Sequence, residues 1–91
     1  MTIVEINRGS DADFTIIWPG DLTGRWIGLF EPHPALAGHL TLSIAEASEA
    51  ETVIAAHFEW DAGMPCRMEF RVATTLGEDQ RTSQKMMLVI K

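Results

Sequence analysis

Asp13-Phe14-Thr15-Ile16-Ile17-Trp18-Pro19-Gly20-Asp21-Leu22-Thr23-Gly24 is the stretch that decides the fold class. Phe14, Ile16 and Trp18 alternate with Asp13 and Thr15, and successive side chains of an extended chain point to opposite faces, so one face is apolar and the other wet. Pro19-Gly20 ends the ladder, because proline lacks a backbone donor and glycine tolerates positive φ. Asp21 is placed to cap backbone donors, Leu22 to plug an edge of the core, and Gly24 to take a conformation closed to other residues. This is strand, turn and strand-entry chemistry, and no catalytic signature accompanies it.

The same period of two extends in both directions. Val4 and Ile6 oppose Glu5 and Asn7 before the turn-forming Gly9-Ser10-Asp11. Arg25 to Glu31 forms a third strand whose Trp26, Ile27, Leu29 and Phe30 put apolar groups on both faces, so it is central or faces a partner. Pro32 to Gly38 holds two prolines and is a loop with room for one helical turn. Leu40, Leu42 and Ile44 alternate with Thr41 and Ser43. Ala45 to Ala50 has helix-favouring composition, yet the alternation of its neighbours on both sides favours a turn between strands. Thr52, Ile54, Ala56, Phe58 and Trp60 lie on one side of a period-two pattern, with His57 and Glu59 on the other, and a helix would scatter the large residues around its circumference.

After the turn Asp61-Ala62-Gly63-Met64-Pro65, Cys66, Met68, Phe70 and Val72 alternate with Arg67, Glu69 and Arg71, a strand with one wet face. Leu76-Gly77-Glu78-Asp79-Gln80 is a hairpin loop, and Met86, Leu88 and Ile90 mark the last strand. The whole predicts an all-β chain: a single small antiparallel β-sandwich over residues 1–91, of about seven strands, Ig-like or jelly-roll-like. A chain this short has no room for a second core.

Thirteen acidic residues against seven basic ones give a formal charge of -6, which repels phosphate backbones and anionic lipid surfaces and argues against nucleic-acid and membrane partners. The first residues carry no basic segment followed by an apolar run, and no window approaches the roughly 20 apolar residues that span a bilayer. The chain therefore reads as soluble and unexported. Cys66 is the only cysteine, so no intrachain disulfide forms; a small buried thiol on a strand face is the expectation.

Constellations that carry chemistry are sparse. His33 sits in the proline loop, and His39 and His57 fall on strands without the paired spacing of a zinc site. His57 and Glu59 share one strand face, which a small enzyme would need to complete with another polar group in a cleft. The loop carboxylates (Asp11 with Asp13, Glu46 with Glu49 and Glu51, Glu78 with Asp79) lack the pattern of a calcium loop. Nucleophile elbows and phosphate-cradling glycine loops are absent. The expectation is no enzyme, no cofactor and no metal. Of the tryptophans Trp18, Trp26 and Trp60, one or two belong to the core. An exposed Trp26 or Phe30 would turn the third strand into a protein-contact patch, because aromatics are enriched at interface centres.

Arg8-Gly9-Ser10, Asp13 to Trp18 and Asp21 to Gly24, in that order, resemble the opening of a group of small bacteriophage β-sandwich structural domains, among them the N-terminal domain of phage baseplate upper proteins. The resemblance covers residues 3–31; beyond it only the strand rhythm agrees. Two departures stand out: the turn before DLTG is reduced to Pro19-Gly20, and Gly63-Met64-Pro65-Cys66 replaces a glycine-tyrosine strand entry. Such domains carry no catalytic residues and serve attachment. The resemblance implies a virion structural protein of tail, baseplate or neck, made in the bacterial host cytoplasm and docking on copies of itself and on other virion proteins. Trp26, Leu29, Phe30 and His33 are the candidate interface residues. The alternatives are a head-decoration or fibre-anchoring protein of the same fold, or a stand-alone carbohydrate- or peptide-binding sandwich using Trp26, Trp60 and the loop carboxylates.

Overall fold

The computed structural model describes residues 2–91. Eight strands form, in chain order β1 (Thr2–Ile6), β2 (Ala12–Pro19), β3 (Trp26–Phe30), β4 (Leu40–Ala47), β5 (Glu51–Phe58), β6 (Arg67–Leu76), β7 (Asp79–Thr82) and β8 (Met86–Ile90), with a short 3-10 turn at Pro34–Leu36. They divide into a three-stranded sheet, β2-β5-β4, and a five-stranded sheet, β1-β8-β6-β3, to which β7 adds along β6. All-β is thus the observed class. The strand order is that of the immunoglobulin-type sandwich, with β2-β5-β4 in the place of strands B-E-D and β8-β6-β3 in the place of G-F-C.

Between the sheets lies the core that the alternation requires. Ile16 and Trp18 of β2, Ile54, Ala56 and Phe58 of β5, Met68, Phe70 and Val72 of β6, and Met86, Leu88 and Ile90 of β8 are all buried. Leu22 closes the end where β2 leaves the sandwich, and Leu36 and Met64 close the opposite end. Each fully buried Phe or Leu side chain contributes roughly 1.5–3 kcal/mol relative to exposure.

The DLTG step folds as its residues demand. Asp21 Oδ1 accepts from the Thr23 backbone N–H at 2.9 Å and from the Thr23 hydroxyl at 2.6 Å, and these bonds hold its carboxyl below the usual carboxylate range. Gly24 takes φ 77, and the Arg25 N–H closes the turn on the Leu22 carbonyl at 3.0 Å. Buried Thr52 of β5 accepts from the Leu22 N–H at 2.9 Å and donates to the Gly20 carbonyl at 2.8 Å. The turn is therefore welded to the central strand of the three-stranded sheet.

Several expectations are corrected. Eight strands form where about seven are expected, because the Leu76 to Gln80 loop tightens to Gly77-Glu78: Leu76 pairs with Asp79, and Gly77 supplies the positive φ that a two-residue hairpin needs. β1 pairs parallel to β8, so the sandwich is not wholly antiparallel; the pairing levels Val4 with Leu88 and Ile6 with Ile90 over the core. β4 runs on to Ala47 by bulging at Ala45, between Ile44 and Glu46, which shortens the expected turn. Cys66 is exposed, not buried, because it lies just before β6, where its sulfur meets the Arg8 guanidinium at 3.4 Å.

Candidate functional site

The β3 surface is built from one anchored residue and a glycine seat. Arg25, its side chain only 7% exposed, donates through Nε to Thr74 Oγ1 at 3.0 Å and through Nη1 to Asp79 Oδ2 at 2.9 Å. That guanidinium ties β3 to β6 and β7, and its hydrogen bond holds the Asp79 carboxyl below the usual range, with Arg81 at 3.2 Å adding to the effect. The next residue, Trp26, is 60% exposed. Its ring lies over Gly28, two residues along the same strand face: a Cβ on Gly28 would sit 2.3 Å from Trp26 Cη2 and 2.5 Å from Cζ2. Only glycine lets the indole lie there, so the aromatic is seated before any partner arrives.

Pairing with β6 fixes which residues share that face. Trp26 is opposite Thr75, Gly28 opposite Ala73 and Phe30 opposite Arg71, all pointing outward, while Ile27 and Leu29 turn inward and pack against the core. Of the four candidate interface residues, Trp26 and Phe30 therefore share the outer face, and Leu29 supports them from beneath. His33 lies past the end of β3, where Glu31 takes a left-handed φ of 46. Its backbone N–H donates to the Glu69 carbonyl at 2.9 Å, and its Nδ1 accepts from the Ala35 N–H at 3.1 Å, which puts the proton of the neutral ring on Nε2. His33 lines a shallow hollow with Glu31, Arg67, Glu69 and Met87, continuous with Phe30 through Glu31.

A polar cluster occupies the other side of the sandwich. His57 Nδ1 meets Asp13 Oδ1 at 2.6 Å across the β2–β5 pair, and Nε2 lies 3.8 Å from Glu59 Oε1. The Asp13 hydrogen bond, with the nearby charges of Glu59 and Asp11, raises the His57 pKa above the ordinary histidine value. The group sits on an open sheet surface beside Thr15, Thr41, Ser43 and Ala55, not in a cleft. Among the described residues no three His, Cys, Asp or Glu side chains come together in metal-holding geometry.

Trp60 is half-buried against the core at the Phe58 end of β5, with its backbone N–H bound to Asp11 at 2.9 Å. Trp26 starts from the far end, after the turn that follows Pro19, which pairs with Glu51, so the two rings do not form one binding surface. Sequence reading missed two members of the β3 surface. Gly28 had a local signal, a glycine at period two between Trp26 and Phe30; the Arg25–Asp79 pair, 54 residues apart, had none. Comparison with protein-family models, curated proteins and solved structures finds no match to this chain.

Proposed function

We propose that the chain is a non-catalytic assembly module that docks by protein–protein contacts through the outer face of β3, and that its setting is a phage or prophage virion, in the tail, baseplate or neck. The observation that carries the docking role is Trp26, held flat on Gly28 with 60% of its surface exposed beside Phe30. An ordered, solvent-facing tryptophan on a small sandwich costs solvation in the free protein and supplies a rigid anchor of the kind that dominates interface energetics. Open sheet edges add to the reading: β2 and β4 flank β5 and pair with nothing on their outer sides among the described residues. The virion setting rests on the resemblance of residues 3–31 alone.

Sedimentation velocity over a concentration series tests the docking role. The expected result is concentration-dependent association that Trp26→Ala weakens while leaving the urea unfolding curve in place. A chain that stays strictly monomeric at every concentration, or one whose association ignores Trp26→Ala, overturns the β3 assignment.

A further inference from the structure

The two outer faces of the sandwich are sorted by charge. Residues 10–19 and 39–62, which make up the three-stranded sheet and its loops, hold seven carboxylates and no Lys or Arg. The rest of the chain, the five-stranded sheet and its turns, holds all seven Lys and Arg and the other six carboxylates, so the formal charges of the two halves are −7 and +1.

Pairing within the five-stranded sheet sharpens the contrast. Glu69 is engaged by Lys85 at 3.3 Å and Glu5 by Lys91, whereas Arg67 and Arg71, both outward on β6, have no carboxylate partner among the described residues. Arg71 stands directly opposite Phe30, so the free guanidinium groups and the β3 aromatics belong to one surface.

The opposite face is acidic and shallow. Part of it is paved with small side chains (Thr15, Thr41, Ser43, Ala55) around a shallow depression, and exposed Ile17 stands opposite Val53 beside it. Asp13, paired with His57, borders it, and Glu46 and Glu51 line a second hollow with Val53 farther along the same sheet. Asp13 pairs across from His57 and Glu46 across from Val53, four residues apart along β5, and Glu51 lies opposite Pro19. Four residues of strand span about 13 Å, so Asp13 and Glu46 are offset along the sheet as far as Arg67 and Arg71 are along β6, and they stand two strand spacings, roughly 10 Å, apart across it.

We propose that copies of this chain stack head to tail, the Arg67–Arg71 face of one molecule resting on the carboxylate-bearing face of β2-β5-β4 in the next. The contact joins two different patches, so it is heterologous and builds a closed ring or an open stack instead of a symmetric dimer. It rests on the assembly reading of the β3 surface and adds the partner surface that receives it. Complementary charge supplies orientation and encounter rate, and the aromatics of β3 supply the buried contact.

The test combines salt dependence with two neutralised variants, Arg67→Gln/Arg71→Gln and Asp13→Asn/Glu46→Gln/Glu51→Gln, each checked for its native circular dichroism spectrum. Wild-type protein should associate at low ionic strength and weaken by about tenfold or more as salt shortens the screening length to a few ångströms. Each variant alone should be monomeric. Mixed in equal amounts, they should form a pair that grows no further, because each supplies the one intact face that the other lacks. Association that is insensitive to salt and survives in both variants, yet is lost in Trp26→Ala, overturns the stacking and leaves the β3 docking role standing. A mixture that stays monomeric while wild type associates overturns it as well, and a wild-type monomer at every salt concentration removes both.

Discussion

Replacing Thr52 with valine keeps the side chain's shape and deletes the hydroxyl that welds the DLTG turn to β5. Two bonds are lost: the one from the Leu22 N–H at 2.9 Å and the one to the Gly20 carbonyl at 2.8 Å. Leu22 is 1% exposed, so its N–H is stranded away from water, a loss of roughly 1–3 kcal/mol. The Gly20 carbonyl is only part-buried and recovers solvent, adding about 0.5–1 kcal/mol. Burying the new methyl returns about 0.8 kcal/mol. The net is a loss of about 2 kcal/mol, a large share of the roughly 5–14 kcal/mol that a chain of this size holds in reserve. Urea unfolding should show a lower midpoint with an unchanged slope, and Tm should fall by roughly 8–16 °C. Thr15→Val, on the open face of β2, is the control and should stay within about 0.5 kcal/mol of the parent. A Thr52→Val protein that matches this control would refute the claim that the buried hydroxyl holds the turn.

Three further outcomes are expected. His57 should titrate above the ordinary histidine value of about 6.5 by NMR, because Asp13 accepts from Nδ1 and Glu59 and Asp11 are near; Asp13→Asn should bring it down, and an unmoved titration would break the assignment. With its native pKa raised, His57 stabilises the fold fully below its unfolded value and loses that contribution as pH rises through the folded one. Asp79 behaves in the opposite sense: its depressed pKa stabilises above the unfolded carboxylate value and is lost as pH falls through the folded value, so Asp79→Asn should flatten the acid limb of stability against pH. Gly28→Ala should lift the Trp26 ring off its seat and make its fluorescence more quenchable by iodide than in the parent, whereas an unchanged quenching constant would mean that the ring does not rest on the glycine.

Local pattern was enough for the strands that face the core on one side. β2, β5, β6 and β8 announce themselves by alternation, and most inward residues read from that period are buried between the sheets, with Phe14 and Trp60 half-buried and Cys66 exposed. Periodicity stops being a guide where pairing overrides it. β7, with the sequence Asp79-Gln80-Arg81-Thr82, has no apolar face at all. It is a strand because Gly77 allows the tight turn and because the edge of β6 beyond its contact with β8 is open to it. Cys66 shares the alternation of β6 yet lies outside the strand, since the period of two persists one residue beyond the ladder. At the β3 surface, residues that are apolar on both sides do not distinguish a central strand from a partner-facing one; register against β6 sends Ile27 and Leu29 inward and Trp26 and Phe30 out.

Residue order by itself determined an all-β chain with most of its core faces and the DLTG strand entry, because each depends only on neighbours a few positions apart. Tertiary structure alone decided that β1 and β8 pair in parallel, that Arg25 reaches Asp79, and that residues 10–19 and 39–62, which hold no Lys or Arg, come together as one sheet and its loops while the cations gather on the other. Those outcomes depend on which strands become neighbours, and backbone hydrogen bonds between distant segments, not side-chain period, make that choice.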